Sequence, residues 1–189
     1  MLEYFTPGKV YEVLLTTKSN VTPIGVVREG EILRFKLFKG RSFDDLLSTP
    51  KASIQITNDV ELIVKSALNL NTDIEIVSNK RWRWIKGLPG LYGIVQHEVA
   101  QWIDDLGETE VLQGKFIPEG EIQGRLPPRP FSRADCLLVE MAVLFTRFKV
   151  SSGEEMCKKI KGLYELYKHL GGDSQLAEYI MENLKYSSE

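Results

Sequence analysis

Over the first two thirds of the chain the apolar residues alternate or form short β-branched runs; over the last third they recur at helical spacing. In EILRFKLF, Leu33, Phe35 and Leu37 fall on one side and Arg34 and Lys36 on the other, the period of two that a half-buried strand requires. Glu29 and Gly30 supply the turn before it. ASIQIT (52–57) alternates in the same way, and DIEIVS (73–78) is a shorter strand candidate. YGIVQHEVAQWI places Val95, Val99 and Ile103 on one face, and a turn at 105–107 leads into a further strand. Two short helices interrupt the series at 42–47 and 59–68, the second with Val60, Val64 and Ala67 sharing a face. Several strands of this length predict a barrel or sandwich.

EGEIQGRLPPRP (119–130) carries three prolines and breaks the pattern. Beyond it, helices are expected at 131–148, 153–170 and 173–185. Their stripes are Ala134, Leu137, Leu138, Met141, Phe145 and Phe148, then Met156, Ile160, Leu163 and Tyr167, then Leu176, Tyr179 and Ile180. The organisation predicted is a β domain over 1–124, followed over 125–189 by a linker and a helical subdomain packed on it.

At 189 residues and 43% hydrophobic, the chain can bury a substantial core. With 24 Lys+Arg against 26 Asp+Glu, the net charge of −2 gives no global field for nucleic acid or membrane, so any anion site must be local. The opening MLEYFTPGKVYEV has no export signal and no run approaches a membrane span, so a cytoplasmic location is expected. Cys136 and Cys157 lack CxxC spacing and read as reduced, buried thiols. His97 and His169 have no metal-ligand spacing, so no metal site is assigned.

The candidate chemistry sits where the 22–43 hairpin ends in Lys39, Gly40, Arg41 and Ser42. Ser42 with Asp45 matches a capping box, which explains the serine without a ligand. The same stretch also reads as an anion seat: backbone N–H groups at a helix start, a hydroxyl, a bidentate guanidinium and an ammonium. Upstream, Thr16, Thr17, Ser19, Asn20 and Thr22 either satisfy turn hydrogen bonds or form the polar rim of a heterocycle site whose face Val21, Pro23 and Ile24 cover. In PFSRAD, Ser132 and Asp135 read as a second capping box, and Arg133 in the first helical turn wants an anionic partner. NKRWRWIKG (79–87) interleaves cations with Trp82 and Trp84. It fits a single-stranded nucleic-acid platform, or an ordered loop covering a barrel mouth or subunit seam, and the charge balance favours the loop.

The succession of NVTPIGV, a hairpin strand, KGRSFDDL opening a short helix, a strand ending in TND, and PFSRAD resembles the FMN-binding split-barrel superfamily. More narrowly it resembles a mainly archaeal branch of unknown function related to flavin reductases. The resemblance implies a six-stranded Greek-key split barrel and a homodimer with FMN near the subunit interface; the concentration of Trp82, Trp84 and Trp102 agrees with such a seam. It implies that Lys39, Gly40, Arg41 and Ser42 surround the phosphate and that Thr16, Thr17, Asn20, Thr22 and Pro23 line the isoalloxazine or ribityl chain. Thr57, Asn58 and Arg133 are further candidates for cofactor contact. Related flavin reductases often carry a histidine in the late hairpin turn; DDLGETEVLQG has none, so weak NAD(P)H-driven reduction is expected. Since a flavin carries its own redox chemistry, no residue is assigned a catalytic role.

Overall fold

Leu33, Phe35 and Leu37 are buried and Arg34 and Lys36 exposed, so the alternation read from the sequence sets the inner and outer faces of the strand that carries it. The computed structural model describes residues 1–67, 71–104, 107–125, 130–148 and 154–185. Its strands are β1 (Val10–Thr16), β2 (Val21–Glu29), β3 (Ile32–Phe38), β4 (Lys51–Gln55), β5 (Ile76–Ser78), β6 (Arg83–Ile85), β7 (Gly90–Asp104) and β8 (Gly107–Ile122). Helices α1 (Arg41–Ser48) and α2 (Val60–Ala67) flank β4, and α3 (Arg133–Phe148), α4 (Glu154–His169) and α5 (Gln175–Lys185) follow.

Six strands run in the order β2-β3-β8-β7-β4-β1, and β1 also pairs with β2, so the sheet closes into a barrel. The β2–β3 hairpin is tight, with Glu29 opposite Ile32 and Gly30 at φ 59°, a left-handed conformation that suits glycine. After β3 the chain crosses through α1 to lay β4 beside β1, which makes the topology a Greek key, as expected from the sequence. The interior is filled from alternate positions: Val13 and Leu15 of β1, Val26 of β2, Ile54 of β4, Val95 of β7 and Phe116 of β8.

The opposite faces of β1 and β4 are covered by the β5–β6 hairpin. Leu14 packs outward against Ile85 and Ile63. Gln55, fully buried, uses its whole amide on the cover: Nε2 donates to Ile85 O (2.8 Å) and Leu88 O (2.7 Å), and Oε1 accepts from Ile85 N (2.6 Å). Two residues earlier in β4, Ser53 Oγ donates to Arg83 O at 2.7 Å. The segment read as a loop around Trp82 and Trp84 is therefore a three-residue hairpin strand with its neighbours.

The chain divides into two units, Met1–Pro7 with Tyr11–Phe131, and Gly8–Val10 with Ser132–Glu189. In the second, Met141, Phe145, Ile160, Tyr167, Ile180 and Leu184 form the core. The stripe expected for α5 is out of phase: Ala177, Ile180 and Leu184 are buried, while Leu176 and Tyr179 are exposed. In α2 the buried residues are Ile63 and Ser66, Ala67 is exposed, and the side chains of Val60 and Val64 lie outside the described residues. Neither cysteine forms a disulfide, and neither is buried; Cys136 lies off the apolar stripe of α3 and is exposed. The expected turn at 105–107 lies largely outside the described residues.

Candidate functional site

The β1–β2 turn closes with Thr17 N donating to Asn20 O at 2.9 Å, and two neighbouring elements fix it from there. Asp45 of α1 accepts from Thr17 Oγ1 (2.7 Å), Ser19 N (2.7 Å) and Ser19 Oγ (2.9 Å). Burial pushes the Asp45 carboxyl up, but the hydrogen bonds from Thr17 and Ser19, with Lys18 nearby, outweigh it and hold the group below the ordinary aspartate range. Arg83 Nη1 donates to the carbonyls of Thr17 (3.1 Å) and Lys18.

This arrangement corrects the first capping box. Helix α1 begins at Arg41 with Gly40 as its N-cap and no side-chain cap. Asp45 is turned to the β1–β2 turn because three donors there outcompete one backbone N–H. Ser42 is buried and accepts from Asn20 Nδ2 at 2.9 Å. Ser132 likewise forms no box: its hydroxyl is buried without a hydrogen-bond partner among the described residues.

An α1 terminus capped by glycine leaves the N–H groups of its first turn without a side-chain acceptor, next to the positive end of the helix dipole. Arg41 is exposed there and makes no ion pair with any described residue. Lys39 differs: its ammonium meets Glu110 at 2.5 Å, and that hydrogen bond raises the lysine pKa.

Thr17, Asn20 and Ser42 thus come together, with Gly40 and Arg41 adjoining in the chain, while Lys39 is turned to Glu110. Thr22 and Pro23 are half-buried at the start of β2. Thr57 and Asn58 are not brought to this cluster. Ser53 pairs with Thr16, so Thr57 lies four residues further along, roughly 13 Å at strand spacing. There its hydroxyl accepts from Asp59 N (3.0 Å) and Asp59 in turn caps α2 through Leu62 N (3.0 Å). Arg133 belongs to the second unit.

Thr16 and Thr17 both line a cleft of about 290 Å³ walled by the turn, the start of β4 and the β5–β6 hairpin. Thr16 is 1% exposed, and its hydroxyl is buried and unpartnered among the described residues. Lys18, Lys51 and Arg83 of this wall were not candidates from the sequence; only a register that lays β4 beside β1 brings them together. A larger cleft, about 610 Å³, shares Trp82 with it and adds Trp84 and Tyr92. Trp82 is only 7% exposed, its ring 5.0 Å from that of Tyr92 and 4.9 Å from the Arg81 guanidinium, so it is packed within its own chain. Among the described residues no group of acidic, histidine and cysteine side chains is placed to hold a metal, and no helix is long and apolar enough to cross a membrane.

Residues 11–123 match the family described as protein of unknown function (DUF447) N-terminal domain, and residues 132–185 match protein of unknown function (DUF447). The chain belongs to the DUF447 family. It is 28% identical to uncharacterized protein MJ1453 of Methanocaldococcus jannaschii, over 93% of this chain and 98% of that one. Among solved structures it is similar to FMN-bound protein MM1853 of Methanosarcina mazei, itself a DUF447 protein (20% identity, 96% of this chain and 95% of that chain, TM-score 0.48). A second is the styrene monooxygenase flavin reductase of Pseudomonas putida S12 (10% identity, 63% of this chain and 93% of that chain, TM-score 0.36).

Proposed function

We propose that this protein is an FMN-binding flavoprotein that serves as a flavin-dependent oxidoreductase. The observation that carries the reading is the α1 terminus: a glycine N-cap without a side-chain acceptor, Arg41 in the first turn without an ion pair among the described residues, and Ser42 tied to Asn20 of the neighbouring turn. Backbone N–H groups, a helix dipole and a guanidinium are a donor set suited to a phosphate dianion. Membership in a family that includes the FMN-bound MM1853 supports the same cofactor.

In this reading Gly40, Arg41 and Ser42 hold the phosphate, Asn20 orients Ser42, and Thr17, Thr22 and Pro23 border the rest of the cofactor. Lys39 contributes field but has Glu110 as a standing competitor. Bound FMN supplies the electron transfer; the chain binds, orients and shields it. The proposal includes a cytoplasmic homodimer with the cofactor near the seam. Phe38, 50% exposed, stands edge-on to Trp102 with ring centroids 6.4 Å apart, an apolar pair suited to a subunit contact.

The absorbance spectrum of purified protein, followed by fluorescence titration with FMN and riboflavin, tests the assignment. A yellow protein that prefers FMN to riboflavin is expected. A colourless protein that takes up neither, or one with equal affinity for both, removes the phosphate seat.

A further inference from the structure

Cations gather a second time, away from the α1 terminus. The cleft of about 290 Å³ beside the β5–β6 hairpin is lined by Lys18, Lys51, Lys80, Arg81 and Arg83, and no aspartate or glutamate is among its lining residues. They come from three separate places: the β1–β2 turn, the first residue of β4, and the hairpin with its connecting turn. In a chain of net charge −2, five cations around one concavity create a local positive potential that the overall balance does not predict.

Their engagement is unequal. Arg81 is paired with Glu119 at 2.8 Å, and Arg83 donates to the carbonyls of Thr17 and Lys18. Lys18, Lys51 and Lys80 form no salt bridge with any described residue. Against the same space lies Thr16, 1% exposed, its buried hydroxyl without a hydrogen-bond partner among the described residues, whereas its register partner Ser53 is satisfied by Arg83 O. Buried hydroxyls are rarely left unpaired, so this one points to an acceptor supplied from outside the chain.

We propose that this cleft is a second anion site that takes the phosphate monoester or diphosphate group of a small-molecule ligand. Lys18, Lys51 and Lys80 provide its charge and the Thr16 hydroxyl its buried donor. Three ammonium groups without a salt bridge among the described residues match the two to three negative charges of such a group, and lysine binds phosphate as a point charge without requiring the planar fork of arginine. The site is distinct from the proposed phosphate seat, because Gly40, Arg41 and Ser42 do not line it, while Thr17 borders both.

Calorimetric titration of pyrophosphate into the full-length protein saturated with FMN tests the proposal, with inorganic phosphate as a second probe. One site is expected, weakened about tenfold by Lys51→Ala and again by Lys80→Ala. Thr16→Val should weaken it in the same direction, with thermal unfolding reporting whether each variant folds. FMN affinity should stay unchanged in Lys51→Ala and Lys80→Ala. If the protein takes up no FMN, the flavin reading fails alone and the same titration is run without it; Arg41→Ala then distinguishes the two anion positions. Absence of pyrophosphate binding, full binding in the Lys51→Ala/Lys80→Ala double variant, or loss of binding on Arg41→Ala would each overturn the second site.

Discussion

Thr17 donates its hydroxyl hydrogen to Asp45 Oδ2 at 2.7 Å, joining two residues 28 positions apart and tying the β1–β2 turn to helix α1. The carboxylate is the hub of the arrangement, since Ser19 also donates to it twice. Asp45→Asn keeps the shape but removes the charge and puts N–H donors where donors already converge. At neutral pH it should lower stability by about 2 kcal/mol, in line with hydrogen bonds to charged groups. The folded-state pKa of Asp45 is depressed, so its contribution is present above the unfolded aspartate value of about 3.9 and is lost as pH falls through the folded value. Urea midpoints of the two proteins should therefore differ at pH 7 and converge below about pH 4; a gap that is constant with pH contradicts the account.

Arg41 and Lys39 flank the same glycine but should behave differently. Arg41→Ala should weaken FMN binding on the order of 10- to 150-fold, the worth of a charge-assisted hydrogen bond, and leave riboflavin affinity unchanged. Lys39→Ala should change FMN affinity only about threefold, because the lysine is already committed to Glu110 and largely exposed. The ratio of FMN to riboflavin affinity in each variant is the readout. An unchanged ratio in Arg41→Ala excludes it as a phosphate ligand.

Gln55→Leu has nearly the same volume and should still be severe. It strands the N–H of Ile85 and the carbonyls of Ile85 and Leu88, which now pair with one amide. At about 1–3 kcal/mol for each of the three buried groups left unmet, the loss should be on the order of 3–9 kcal/mol, measured by urea unfolding. Tryptophan emission should shift as the hairpin bearing Trp82 and Trp84 loosens.

For the proposed homodimer, Phe38→Glu places a charge beside Trp102 on an exposed strand end. Sedimentation at graded concentrations should show dimer dissociation favoured about tenfold or more, as for a central aromatic contact. Folding stability should move by less than about 1 kcal/mol, because Phe38 is half exposed within its own chain. A monomeric wild type would dispose of this face as a seam.

What the sequence made legible was local. Alternation in EILRFKLF separated the inner from the outer residues of β3, and the Glu29-Gly30 turn fixed its hairpin. Contacts across long separations were not readable. The Ser42–Asp45 spacing is a true capping motif on paper, but nothing within α1 shows that Thr17 and Ser19 will offer Asp45 better donors. Lys39 looked available because Glu110, 71 positions away, is brought to it only when β3 pairs with β8. Of the β5–β6 hairpin, β5 lies within the strand candidate at 73–78, but β6 was read as loop for a related reason: a three-residue strand has little periodicity of its own and depends on Gln55 for anchorage. In α5 the apolar residues at 176, 177, 179, 180 and 184 admit two adjacent stripes, and only the packed core selects 177, 180 and 184.

The double hold on the β1–β2 turn, side chains to Asp45 and carbonyls to Arg83, has a thermodynamic consequence. Glycine- and serine-bearing binding loops commonly lose conformational freedom when a ligand arrives, and that lost entropy subtracts from affinity. Here the freedom is surrendered during folding, before any encounter. Rigidity at this wall makes recognition closer to lock-and-key than to induced fit, so ligand selectivity depends on the shape the barrel has already imposed.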